Sequence, residues 1–181
     1  MKTHIVFLRG INVGGQKKIR MADLRACLLK AGFQTVRTYI QSGNLIVVSP
    51  KTKQEVSRQI KQQIQDNFGF DVPVLSLEFK ELQSIINSNP YPATEEDNKG
   101  IYFVLLFEKP ESSLTKNLQE EKFEKEEFSI TPSCIYLNCQ LGYGKTKFNN
   151  NFFERRLKIR ATARNWKTMK MMGHLAVDPG A

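Results

Sequence analysis

Residues 35–49 read TVRTYIQSGNLIVVS. TVRTYI and NLIVVS are short runs rich in β-branched and aromatic residues, and QSG between them supplies a tight turn, so the stretch reads as two antiparallel strands. What lies on either side decides the fold. Upstream, THIVFLRGI is a first strand, and Leu24, Cys27, Leu28 and Ala31 then recur at helical spacing, with Gly32 placed to stop the helix. Downstream, Pro50 suits a first helical turn, Val56, Ile60, Ile64 and Phe68 share one helix face, Gly69 closes it, and VPVLSLE is a further strand. The order β-α-β-β-α-β is that of the ferredoxin-like, split β-α-β unit, an antiparallel sheet with both helices on one face.

The order then recurs. After a connector at 79–100, with a helix on Phe79, Leu82, Ile85 and Ile86 and the polar loop NSNPYPATEEDNKG, IYFVLLFE reads as a buried strand. SSLTKNLQEEKF is a polar helix, FSIT and SCIYLNCQL are two strands, and NNNFFERRLKI is a helix with Phe153 and Leu157 on one side. The acidic run QEEKFEKEE at 119–127 reads as a solvated helix face. ATARNWKTMKMMG is expected to be a last helix, with Thr162 as N-cap and Gly173 as its stop, which leaves this half without a clear final strand. The fold class is therefore α+β: two ferredoxin-like halves, 1–78 and 101–181, a connector at 79–100, and C-terminal helices.

Charge narrows the class of partner. The 181 residues carry a net +9. Residues 1–49 hold eight Lys and Arg against the single acid Asp23, and residues 140–181 hold nine against Glu154 and Asp178, so each end carries +7 and the middle is mildly acidic. Such asymmetry fits an anionic partner, a phosphate-bearing metabolite or nucleic acid, as well as it fits scattered solvated charge. No apolar run approaches the ~20 residues of a membrane helix. The hydrophobic stretch of MKTHIVFLRG is too short for a signal peptide, and three cysteines without Cys-x-x-Cys spacing fit a reducing compartment. A cytoplasmic protein with no membrane partner is expected.

Two loops come close to phosphate-binding motifs. From Gly10 to Gly15 the spacing matches a nucleotide P-loop, but Gln16 stands where lysine is needed and Lys17 where the magnesium-binding hydroxyl is needed. In CQLGYGKT, residues 139–146, Gly144, Lys145 and Thr146 fit, but Cys139 replaces the first glycine. Neither is a P-loop, and G-x-G-x-x-G is absent, so no nucleotide cofactor is implied. Each loop is nonetheless expected to leave a strand, carry lysines and enter a helix N-terminus, where free amides favour an anion. Gly10, Gly14 and Gly15 serve equally as a tight turn needing positive φ.

In the expected last helix, Arg164 and Lys167, with Arg160, form a short basic ridge suited to phosphate or carboxylate, opposite an apolar side on Trp166 and Met169. His4 and His174 lack neighbouring ligands, so no metal site is read, and no nucleophile or general base stands out. RNP1-type exposed aromatics are also missing, which leaves phosphate contact as the way nucleic acid would bind.

FLRGINVGG (7–15), TYIQSGN (38–44) and TARNW (162–166), in that order, resemble a bacterial family known as domain of unknown function 1697. The resemblance spans nearly the whole chain and implies two ferredoxin-like halves in one cytosolic protein. It brings no established activity, and it marks Arg9 to Gly15, Gln41 to Asn44 and Thr162 to Trp166 as signature positions. GYGKTK is similar to that family's glycine-rich basic loop, although Tyr143 and Thr146 do not transfer. The combined reading is a binding protein whose ligand side chains are Arg9, Asn12, Lys17, Gln41, Ser42, Asn44, Lys145, Arg164 and Asn165, with the backbone of Gly14 and Gly15. The two basic ends are expected to converge on one cleft. An enzyme acting on a small phosphorylated or carboxylated substrate, and a structural or partner-binding protein, are the alternatives.

Overall fold

A computed structural model of the chain describes residues 1–94, 98–121, 123, 127–139 and 142–177. It divides into two units, Met1–Ser84 with the stretch from Met171, and Ile85–Lys170. The first unit runs β1 (Lys2–Leu8), α1 (Met21–Lys30), β2 (Thr35–Tyr39), β3 (Asn44–Ser49), α2 (Lys53–Phe68) and β4 (Val74–Glu78). Helix α3 (Phe79–Asn87) follows. The second unit runs β5 (Ile101–Leu106), α4 (Ser112–Glu120), β6 (Phe128–Ile130), β7 (Cys134–Asn138), α5 (Asn150–Leu157) and β8 (Ala161–Asn165), before α6 (Trp166–Val177).

Each sheet has four strands, in the orders β2-β3-β1-β4 and β6-β7-β5-β8, and every neighbouring pair is antiparallel. The expected α+β architecture of two split β-α-β halves with C-terminal helices is the one found. In the first unit, Val6, Leu8, Leu45 and Val47 pack with Leu24 and Leu28 of α1 and Val56, Ile60 and Ile64 of α2. Burying each of those α2 side chains contributes about 1.5–3 kcal/mol. The second core joins Val104, Ile135 and Leu137 to Leu118 of α4 and to Phe153 and Leu157 of α5. The strand residues between them in sequence, Ile5, Phe7 and Ile46 in one sheet and Phe103, Leu105 and Tyr136 in the other, are also fully buried, so both faces of each sheet are dry.

Local expectations needed correction in three places. Pro50 lies outside α2, because Thr52 and Glu55 form a reciprocal capping box that starts the helix at Lys53. Gly69 closes it in the left-handed conformation as expected. Residues 161–165 are not the start of a helix with Thr162 as its cap. They form β8, paired with β5 from Tyr102↔Asn165 to Leu106↔Ala161, and complete the second β-α-β-β-α-β unit. Helix α6 begins at Trp166 and continues through Gly173, where a Cβ would meet only Leu82 Cδ2 at 3.8 Å. Of the acidic run expected as a helix face, α4 includes Gln119 and Glu120, and positions 122 and 124–126 lie outside the described residues. So do positions 140–141 of the second glycine loop and 95–97 of the connector. Among the described residues no helix is long and apolar enough to cross a membrane.

Candidate functional site

In the first unit the chain leaves β1 at Leu8, whose N–H donates to Gly43 O at 2.8 Å, and Arg9 N–H donates to Pro73 O at 3.0 Å. Three segments thus meet at one end of the sheet: the β1–α1 loop, the β2–β3 turn and the entry to β4. Within the loop, Gln16 N–H donates to Val13 O at 3.0 Å across Gly14 and Gly15, which have φ of 57° and 76°. Two consecutive positive φ values are the mark of a type I′ hairpin turn. Asn12 N–H donates to Lys17 O at 3.3 Å, which closes the hairpin one step further down. The expectation of glycines feeding a helix N-terminus is therefore corrected. Gly14 and Gly15 form the tip of a small hairpin, and α1 begins only at Met21, after Arg20 in extended conformation.

Asn12 holds the hairpin in place. Its Nδ2 donates to Ile19 O at 2.9 Å and to Gln41 O at 2.8 Å, while its Oδ1 accepts from Ile19 N–H at 2.9 Å. Its φ of 54° is left-handed, a conformation asparagine tolerates better than most residues. Lys17, also left-handed at 45°, directs its Nζ to Asp71 O. In the turn, Ile40 has φ 49° and is 51% exposed, an unusual state for a β-branched side chain. Asn44 is fully buried and donates from Nδ2 to Tyr39 O at 3.1 Å and Ser42 Oγ at 2.9 Å. Gly43 at φ 78° could carry no side chain, since its Cβ would lie 2.6 Å from Leu8 Cβ.

Arg9, Asn12, Gly14, Gly15, Lys17, Gln41, Ser42 and Asn44 accordingly share one end of one sheet. Sequence reasoning missed Ile40, Gly43, the exposed Lys18, and the Asp71–Pro73 segment that buttresses the loop. The first two lie inside TYIQSGN, where Gly43 is read as part of the QSG turn, but Ile40 is read as the end of the strand TVRTYI, and that strand stops at Tyr39. Nothing in the sequence marked Asp71 or Pro73.

The remaining expected residues lie in the second unit. Lys145 is exposed in a single 3₁₀ turn, Tyr143–Lys145, where Tyr143 stacks on Tyr102 with centroids 4.7 Å apart. Arg164 is 8% exposed, opposite Phe103 in β8, and its Nη1 donates to Thr162 Oγ1 at 2.8 Å and Ala163 O at 2.7 Å. Asn165 Oδ1 accepts from Thr168 N–H at 2.8 Å and caps α6. The expected ridge of Arg160, Arg164 and Lys167 along one helix does not form. Arg160 precedes β8, Arg164 lies within it and Lys167 sits in the first turn of α6, because the strand intervenes.

Chemically, the end of the first sheet is a cationic surface with fixed shape. Residues 9–20 hold Arg9, Lys17, Lys18 and Arg20 and no acid. The nearest acid in sequence, Asp23, approaches Arg20 at 3.8 Å, and Asp71 pairs with Lys61 at 2.9 Å.

Comparison with known proteins agrees with this fold. The chain is similar to the conserved bacterial protein SP0830 from Streptococcus pneumoniae, with a TM-score of 0.74 and 23% identity over 96% of this chain and 98% of that one. At that identity the likeness concerns the fold alone. Curated proteins give no match. A family model described as protein of unknown function, DUF1697, matches residues 1–136, about three quarters of the sequence and two of its three signature motifs, and to that family this chain belongs.

Proposed function

We propose that the protein binds an anionic ligand, through phosphate groups of a metabolite or of nucleic acid, at the basic end of its first sheet. The observation that carries this reading is the loop 9–20, with four cations and no acid, braced by Asn12 against the β2–β3 turn. A receptor whose backbone is already fixed loses less conformational freedom on binding. Arg9 and Lys18 supply charge, Gly14 and Gly15 bring backbone amides to the surface, and Gln41 and Ser42 stand beside them as neutral hydrogen-bonding groups.

The test is a titration with single-stranded RNA and DNA alongside a thermal-shift panel of phosphate-bearing metabolites. If all four cations contact phosphate on a single strand, affinity falls about fifty-fold between about 50 and 200 mM salt. Arg9→Ala with Lys18→Ala flattens that dependence, or abolishes the thermal shift if the ligand is a metabolite. Absence of binding in both arms, or binding indifferent to both substitutions, rejects the reading.

A further inference from the structure

Alongside α5 in the second unit lies a cavity of about 560 Å³ lined by Asn149, Asn151, Glu154, Arg155 and Arg160. It is open to solvent, since Asn149, Asn151, Arg155 and Arg160 are exposed and only Glu154 is half-buried, so a ligand here stays partly hydrated. Its walls are set by specific contacts. Lys158 ends α5 in the left-handed conformation at φ 59°, with its N–H on Glu154 O at 3.0 Å. The chain then turns back into β8, where Ala161 N–H donates to Glu154 Oε1 at 3.0 Å and Phe107 N–H donates to Arg160 O at 3.0 Å. The peptide unit between Arg160 and Ala161 is therefore held at both its C=O and its N–H, while the Arg160 side chain remains exposed.

The arginines of this corner are in different states. Arg156 is committed: its Nη1 and Nη2 meet Glu121 at 2.6 and 2.8 Å, and its guanidinium lies 5.4 Å from the centre of the Phe152 ring. Arg155 uses only Nε, on Asn151 O at 3.3 Å. Among the described residues neither Arg155 nor Arg160 has an ion-pair partner. Asn149, which also lines the cavity, accepts from Phe152 N–H at 3.0 Å through Oδ1. Two guanidinium groups without ion-pair partners among the described residues match a phosphate. The Glu154 carboxylate in the same wall favours a ligand that brings a hydroxyl beside its charge.

We propose that this cavity binds a hydroxyl-bearing phosphate monoester, with Arg155 and Arg160 on the phosphate. The site is distinct from the loop 9–20 and stands or falls separately. The experiment follows the amide of Ala161 and the carboxamides of Asn149 and Asn151 by proton–nitrogen NMR during titration with glycerol 3-phosphate, with glycerol in parallel. Saturable shifts with the phosphate ester and none with glycerol are expected. The double variant Arg155→Gln, Arg160→Gln lowers affinity at least about tenfold, in line with loss of charge-assisted bonds, and Arg58→Gln, at an exposed position of α2, leaves it unchanged. Arg160→Lys, which keeps the charge and stem but not the fork, weakens binding by several-fold and guards against a misfolded double variant. No saturation, equal shifts with glycerol, or affinity unaltered by Arg160→Lys and by the double variant overturns the proposal.

Discussion

Replacing Asn12 by alanine tests whether one side chain organises the basic end of the first sheet. The substitution removes two part-buried bonds with Ile19 and one exposed bond to Gln41 O. At about 1 kcal/mol for each part-buried bond and about half that for the exposed one, the loss is about 2.5 kcal/mol. Alanine must also adopt the left-handed backbone of position 12, at φ 54°, which costs about 1 kcal/mol more. The total is about 3–4 kcal/mol, or between two and three decades in the opening equilibrium of the loop. Native-state hydrogen exchange reads this at Gln16, whose N–H closes the hairpin on Val13 O, and at Leu8, whose N–H binds Gly43 O. Asn12→Gly separates the two contributions, because glycine accepts the backbone without strain and should recover about 1 kcal/mol of the loss. Protection at Gln16 and Leu8 that changes by less than about 1 kcal/mol in Asn12→Ala would refute the reasoning, since the loop would then be held by something else.

Three further outcomes follow from the same region and from β1. Gly43→Ala should destabilise by about 2–4 kcal/mol, combining left-handed strain with a Cβ placed 2.6 Å from Leu8 Cβ, as read by urea denaturation; tolerance of the change would contradict the packing. Ile40→Gly should raise stability by up to about 1 kcal/mol by relieving the φ of 49°, and a loss of stability would mean that the isoleucine makes contacts outweighing its strain. Burial holds the His4 imidazole below its ordinary value of 6.5, opposed by backbone groups of Lys51 and Ser49 and by Glu78. The unfolded chain then binds a proton that the folded chain resists, so this contribution is complete above 6.5 and declines as pH falls below it, by at most about 1.4 kcal/mol per pH unit. His4→Leu should reduce the difference in urea midpoint between about pH 7.5 and pH 5.5; an undiminished difference would assign the acid sensitivity elsewhere.

The architecture was legible wherever an apolar period was strong. Val56, Ile60 and Ile64 announce α2, and the pair of strands around QSG announces the first sheet, because each buries a face that only one periodicity can present. ATARN was not legible. Its small and polar residues carry no strand signal, and alanine and arginine favour helix by intrinsic preference. Pairing with β5 overrides that preference and also buries Arg164 opposite Phe103. At the candidate site the turn glycines could be named from sequence, but the use of Gly14 and Gly15 could not. Glycines after a strand suit a phosphate cradle and a hairpin alike, and the choice depends on the Asn12 contacts with Ile19 and Gln41. Arg155 and Arg160 went unassigned to a cavity for a related reason: the backward turn at Lys158 that brings Arg160 alongside α5 leaves no mark in composition.

The hairpin from Asn12 to Lys17 also offers a practical opening for protein engineering. Its ladder is closed below the tip by the Val13–Gln16 and Asn12–Lys17 bonds, and a Cβ added at Gly14 would meet nothing within 4 Å. A peptide spliced between Gly14 and Gly15 would lengthen the ribbon outward into water while its base stays clamped. Short epitopes or fluorophore tags could thus be displayed there with the sheet beneath undisturbed, and the same graft would serve as a removable shield over the basic surface.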